Sequence, residues 1–301
     1  MLHVGDRRIR ITIDESSGAI AEIQDLKVCD DVIKYPSAAV QAPFGIVCLD
    51  EQGRRREYTA GPVADSQAAS GSRLALRHDY LVEAGCGSPD SPGRADLSCR
   101  WQVDAETGPG GASSWRIGVE NNSEDLTVVE VVFPLVRGIR LGRDHADNVL
   151  VFPHHAGERI VDPAHTIASD RYRQFWRAGT VRGPDGIYSR EINYCGLASM
   201  TWMDLYGRAP DGGFFGLYMA SHDPSFVLTG VRSESGGPDI PWCGLGFRKH
   251  VPVSPGERWE SAPFIIAVHD GDWHWGALQY RGWILNHISL PEVPSDLAME
   301  Y

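Results

Sequence analysis

Lysine is almost absent: Lys27, Lys34 and Lys249 are the only ones in 301 residues, and arginine carries nearly all the positive charge. The formal net charge is −12, and no nucleic-acid partner is expected, because a phosphate backbone demands clustered cations. Long apolar runs are missing too. No stretch approaches the roughly 18 apolar residues of a membrane span. The N-terminus "MLHVGDRRIRITIDE" lacks a hydrophobic signal core, so the cytoplasm is the expected location. Cys29, Cys48, Cys86, Cys99, Cys195 and Cys243 include no CxxC pair, which favours free thiols over a zinc framework. A Cys86–Cys99 bridge would require secretion. Phosphate-loop, dinucleotide and nucleophile-elbow patterns are all missing, so no cofactor is expected.

Helical periodicity is also scarce, and its absence until residue 272 leaves a chain of strands and turns. In "RRIRITID", Ile9, Ile11 and Ile13 alternate with Arg8, Arg10 and Thr12. Similar segments follow: "FGIVCLDE", "RREYTA", "RLALRHDYLV", "LSCRWQVD", "SWRIGVEN", "LTVVEVVFP", "NVLVFP", "ASMTWMDLY", "GGFFGLYMAS", "FVLTGVRS", "GLGFRKHVPV" and "APFIIAVHD". Turns such as "DEQGR", "APDGG" and "SGGPD" separate them. Many short strands with no helices between them imply an all-β, antiparallel sandwich. One segment, 153–196, is long, of mixed polarity, and rich in His, Arg and aromatics, which marks it as functional or as a folded insertion.

Near the end, "DWHWGALQYRGWILNH" (272–287) reads as an amphipathic helix. Asp272 is its expected N-cap, Trp273, Ala277, Tyr280, Ile284 and Ile288 fall on one face, and Trp283 and Leu285 widen the stripe. Pro291 and Pro294 stop it.

Five groups of residues are candidates for chemistry. His154, His155, Glu158 and His165 offer metal ligands, but adjacent histidines on an extended backbone point to opposite faces. Ordinary loop or core histidines are the preferred reading, and no metal is expected. On the strand around 202, Trp202 and Asp204 share a face; an aromatic ring covers the apolar side of a sugar while a carboxylate accepts from its hydroxyls. The same residues also suit a packed sheet face. Asp170, Arg171, Tyr172, Trp176 and Arg177, with Tyr194 further on, fit either a sugar surface or a loop packed on a sheet. His222 and Asp223 stand where an apolar strand ends, a place for functional groups or a turn opener. A glycosidase requires two carboxylates flanking one bond, and sequence cannot bring together any two of Asp170, Asp185, Glu191, Asp204 and Asp223.

These residues carry a family resemblance. "WRIGVENNSEDLTVVEVVFPLVRGI" resembles the segment of β-supersandwich domains that precede the catalytic barrel of many glycoside hydrolases. "YCGLASMTWMDLYG", "GGFFGLYMASHDPS" and "GDWHWGALQYRGWILNHISLPEVP" are similar to glycoside-hydrolase-like proteins in which a galactose-mutarotase-like supersandwich leads through a connector helix into a TIM barrel. The resemblance implies a sandwich over 1–270 and a connector helix with extended tail over 271–301. It also places the catalytic carboxylates on a barrel, expected beyond Tyr301 or on a partner.

Three readings follow. In the first, the chain is a supersandwich that shapes or completes a carbohydrate site, with Trp176, Tyr194, Trp202, Asp204, His222 and Asp223 in contact with the sugar. The second is a stand-alone epimerase-like or lyase enzyme using His154, His155 or His222 with a carboxylate. The third is a sugar- or protein-binding module. The first is the preferred expectation.

Overall fold

The computed structural model of the protein describes residues 1–28, 32–34, 43–69, 71–84, 93–105, 111–169, 179–183, 185–194, 196–225 and 227–289. Alternation becomes sheet throughout. Among the described residues every strand pair is antiparallel, and the strands form sheets of four, nine and ten. The four-stranded sheet is Leu2–Gly5, Ile9–Ile13, Ile20–Asp25 and Val32–Lys34 in that order.

The nine-stranded sheet is centred on Thr127–Ile139, Cys243–Val253, Thr229–Ser235 and Tyr188–Asn193. The ten-stranded sheet runs from Glu158–Val161 through Val149–Phe152, Trp202–Arg208, Phe214–Ser221, Phe264–Asp270, Ala112–Asn121, Leu97–Ala105 and Arg73–His78 to Asp65–Ala69, with Arg258–Glu260 pairing alongside Ala112–Asn121. The inner faces of these two sheets meet in an aromatic core. Phe133 of one sheet lies 6.3 Å from Trp115 and 5.7 Å from Phe264 of the other, and Trp101 stacks on Trp115 at 5.8 Å. The buried indoles are satisfied, since Trp115 Nε1 donates to Ser113 Oγ at 2.9 Å. The expected architecture, an antiparallel supersandwich followed by a C-terminal helix, is the one observed.

Several details differ from expectation. "RLALRHDYLV" splits: Arg73–His78 joins the ten-stranded sheet and Leu81–Glu83 the nine-stranded one. Asn121 is a buried clamp whose Nδ2 donates to Leu126 O at 2.7 Å and Val253 O at 2.9 Å. Cys99 is buried and free, while Cys86 lies outside the described residues. No helix among the described residues is long and apolar enough to cross a membrane.

The C-terminal helix, His274–Leu285, begins two residues after Asp272. Trp273 occupies the cap position with helical backbone angles, and Asp272 Oδ1 reaches forward to accept from the His274 amide at 3.2 Å. Its apolar stripe lies on the outer face of the ten-stranded sheet. Tyr280 is buried there, and Trp273, Trp275, Ala277, Trp283 and Ile284 pack around Trp202, Tyr218, Ala220 and Ala267. The stripe does not end as expected, for Ile288 remains half exposed.

Candidate functional site beneath the C-terminal helix

Trp202 and Asp204 stand on the same face of their strand, as alternation predicts, and that face is the one the helix covers. Asp204 is wholly buried and Trp202 nearly so. Directly opposite Asp204 on the next strand is Tyr218, and beyond it Ala267. The carboxylate finds its partner diagonally, two strands away: His269 Nε2 meets Asp204 Oδ2 at 2.9 Å. The link passes over Gly216, where a Cβ would come within 2.5 Å of the His269 ring, so only glycine leaves the path open.

The helix closes over this pair. Trp275 stacks on the His269 ring at 4.6 Å with an interplanar angle of 1°. Gly276 permits the approach, since a Cβ there would lie 2.6 Å from Asp204 Oδ2. Further along, the Tyr280 and Thr201 hydroxyls are 3.1 Å apart, and Trp283 stacks on His222 at 4.6 Å. The structure thus gathers Trp202, Asp204 and His222 and adds His269, Tyr218 and Trp275, which sequence reading missed. Gly216 and the His at the end of "FIIAVHD" were the available signals.

Burial dominates the electrostatics of this layer. It pushes the Asp204 carboxyl up, against the opposing pull of the His269 hydrogen bond. It raises the Tyr218 phenol well above its ordinary value, and it lowers His222 to about 4, with His287 adding to the effect. Asp204 Oδ1, the Tyr218 hydroxyl, Ser221 Oγ and His222 Nε2 have no hydrogen-bond partner among the described residues.

The other expected residues are dispersed. Asp223 sits at the sandwich edge, where its Oδ2 accepts from Lys249 Nζ at 2.7 Å; Thr229 Oγ1 takes a second Lys249 bond at 2.7 Å. Burial would raise the Asp223 carboxyl, but hydrogen bonds from Lys249 and Ser225 hold it below its ordinary range. Tyr194 is half-buried against the main core. Trp176, with Asp170, Arg171, Tyr172 and Arg177, lies outside the described residues.

The histidine pair corrects an expectation. His155 adopts φ +52°, so the backbone is not extended and the His154 and His155 rings lie 4.2 Å apart, not on opposite faces. His154 is nonetheless engaged, with Nδ1 3.1 Å from the buried Arg190 Nη2, while Glu158 pairs with the same guanidinium.

Glu191 belongs to an ion-pair ladder across the outer face of the nine-stranded sheet. Arg55 grips Glu130 through two bonds of 2.9 Å, Arg248 bridges Glu130 and Glu191, and Arg232 joins Glu191 to Glu234. Burial works to raise Glu130 and Glu234, yet their arginines outweigh it and hold both below the usual carboxylate range. A general acid in glycoside cleavage requires the opposite shift. Asp204, whose carboxyl burial raises, is sealed beneath the helix.

A groove of about 870 Å³ runs over the ten-stranded sheet, lined by Arg77, Arg100, Arg116, Glu120, Arg258 and Trp259. It combines exposed guanidiniums with an indole, a surface the sequence reading did not single out.

No protein-family model and no curated protein matches the sequence. Solved structures do. The α-N-acetylgalactosaminidase NagBb from Bifidobacterium bifidum, in its Gal-NHAc-DNJ complex, superposes with a TM-score of 0.55 at 14% identity, covering 99% of this chain and 41% of that one. The two share a fold. The GH36 α-galactosidase AgaA from Geobacillus stearothermophilus matches at a TM-score of 0.46 and 12% identity, over 93% of this chain and 42% of that one. A GalM/aldose epimerase homologue from C. elegans matches at 0.46 and 7% identity, over 90% of this chain and 99% of that one. The supersandwich therefore spans about two fifths of the length of the galactosaminidase whose fold it shares.

Proposed function

We propose that this supersandwich is a part of a carbohydrate-active assembly of the α-galactoside or α-N-acetylgalactosaminide class, and that a TIM-barrel domain or subunit packs on its C-terminal helix. The observation that carries the reading is the two-sidedness of that helix. Its inner face is anchored by Trp275, Gly276 and Tyr280, while Leu278, Leu285 and Ile288 face solvent at 62%, 44% and 51% exposure. The spacing of seven residues puts Leu278 and Leu285 on one stripe, and Ile288 stands exposed just past the helix end. The length of the solved galactosaminidase supports a second body of more than this chain's size. The lowered carboxyls of the nine-stranded sheet support a hydrolytic centre located elsewhere.

In this reading Trp202, Asp204 and His222 hold the helix in register, and Trp176 and Tyr194 remain the proposed sugar contacts. A tagged chain expressed in its native cells and purified gently tests the idea. The wild type is expected to bring glycosidase activity on 4-nitrophenyl α-N-acetylgalactosaminide or α-galactoside with it. A variant with Leu278→Asp, Leu285→Asp and Ile288→Asp should lose that activity while keeping its unfolding midpoint. Equal activity in both preparations would refute the assignment of this face.

A further inference from the structure

His145, Asp162 and His165 converge at one edge of the sandwich, apart from the helix-covered layer. His145 lies in a short 3-10 turn, His145–Asp147, ahead of the strand Val149–Phe152. Asp162 follows the strand Glu158–Val161, and His165 is in the single helical turn Pro163–Thr166. Asp162 Oδ1 lies 3.2 Å from His145 Nδ1, and Oδ2 lies 2.8 Å from His165 Nδ1. One ligand atom from each of the three residues falls within 4.8 Å of the others, and the imidazole centroids are 4.7 Å apart.

Asp162 holds the N-cap position of its turn but makes no side-chain cap bond. Its carboxylate is turned away to the two imidazoles, and its backbone sits at φ +46°, in the left-handed region. The scaffold around it is tied together. The Asp162 amide donates to Asn148 O at 2.9 Å, the Asn148 amide donates to His145 O at 3.0 Å, and the buried Asn148 carboxamide brackets Leu141. All three candidate ligands are thus linked through Asn148 or the Asp162–His165 turn.

We propose that this cluster is a binding site for a divalent first-row transition-metal ion, with two imidazoles and one carboxylate as protein ligands and the remaining positions left to water. In a tetrahedral zinc site with bonds near 2.0–2.1 Å, neighbouring ligand atoms are about 3.4 Å apart. Both Asp162 contacts, at 3.2 and 2.8 Å, are already shorter than that spacing and need only relax outward. The imidazole ligand atoms, within 4.8 Å of each other, need close by at most about 1.4 Å. A carboxylate accepts and never donates, so both Nδ1 atoms carry hydrogen in the hydrogen-bonded arrangement. On metal entry each imidazole shifts its proton to Nε2 and presents the Nδ1 lone pair, with no net proton lost. The mixed nitrogen–oxygen set selects zinc, cobalt or nickel over calcium and magnesium, which prefer all-oxygen cages.

The test is titration of the full chain with Zn²⁺ by calorimetry, and with Co²⁺ by visible absorption, in the presence of excess Mg²⁺. The proposal expects one tight equivalent, cobalt bands of low-symmetry coordination, and release by a chelator. His145→Gln, His165→Gln and Asp162→Asn should each weaken uptake by roughly 100-fold or more. These variants retain polar side chains, and circular dichroism checks their folding. His274→Ala, at an exposed histidine on the C-terminal helix, serves as the control and should bind as the wild type does. No stoichiometric uptake, or uptake unchanged in the Gln variants, overturns the site.

Discussion

The two glycines of the C-terminal helix are expected to respond to alanine with opposite signs. Gly282 has no atom within 4 Å of where a Cβ would stand, so Gly282→Ala adds helix propensity and nothing else. It should stabilise the protein by about 0.5–1 kcal/mol. At Gly276 the same methyl meets Asp204 Oδ2 at 2.6 Å and Tyr218 Cδ2 at 2.7 Å, both of them on fully buried side chains. Asp204 cannot swing aside without leaving His269, and Tyr218 is wedged between neighbouring strands, so the helix must lift. Overpacking of this kind costs about 1–3 kcal/mol, against a propensity gain of at most about 1 kcal/mol. A net loss of about 1–2 kcal/mol is expected for Gly276→Ala, which separates the two variants by about 1.5–3 kcal/mol. Urea unfolding followed by tryptophan fluorescence reads the difference, since Trp273, Trp275 and Trp283 lie in or beside the helix. If Gly276→Ala is as stable as Gly282→Ala, the helix does not rest on the Asp204–His269 pair and the reasoning fails.

Two further outcomes follow from buried charge. Lys249 and Asp223 form a pair with side chains 1% and 9% exposed, so Asp223→Ala, which strands a buried ammonium, should cost about 3–5 kcal/mol in urea unfolding. Adding Lys249→Met should recover most of that loss; a double variant no better than the single one would contradict the pairing. His222 is held neutral by burial, its pKa brought from the ordinary 6.5 to about 4. Because the folded value is depressed, the unfolded chain binds the extra proton first, and stability is lost as pH falls from 6.5 toward 4. The difference amounts to about 3 kcal/mol at the acid end. A His222→Asn variant should show a flatter acid limb than the wild type, and parallel stability curves would show that His222 is not desolvated as described.

Fold class was legible because alternation is a local signal. "RRIRITID" buries Ile9, Ile11 and Ile13, and the aromatic run after Asp272 becomes a helix. The same local rule put Trp202 and Asp204 on one face. What covers that face was out of reach, because the covering helix returns from some 65 or more residues away in sequence. His269 escaped notice for the same reason: at the end of an apolar strand it looks like a solvent-facing residue, and its partner lies two strands over. A local rule failed at His154 and His155, where it assumed an extended backbone and the chain instead takes a left-handed step at His155. His145 escaped because its neighbours Asp162 and His165 are brought to it by a hairpin, Val149–Phe152 with Glu158–Val161, and not by sequence spacing.

The assignment of this chain as a non-hydrolytic part of a carbohydrate-active assembly is tested most directly by steady-state assay of the purified 301-residue protein alone. With 4-nitrophenyl α-N-acetylgalactosaminide and α-galactoside across acid to neutral pH, the release of nitrophenol is expected to match the buffer rate. Sustained turnover by the isolated chain, abolished in an Asp204→Asn variant that still folds, would contradict the account and make the helix-covered carboxylate a catalytic group.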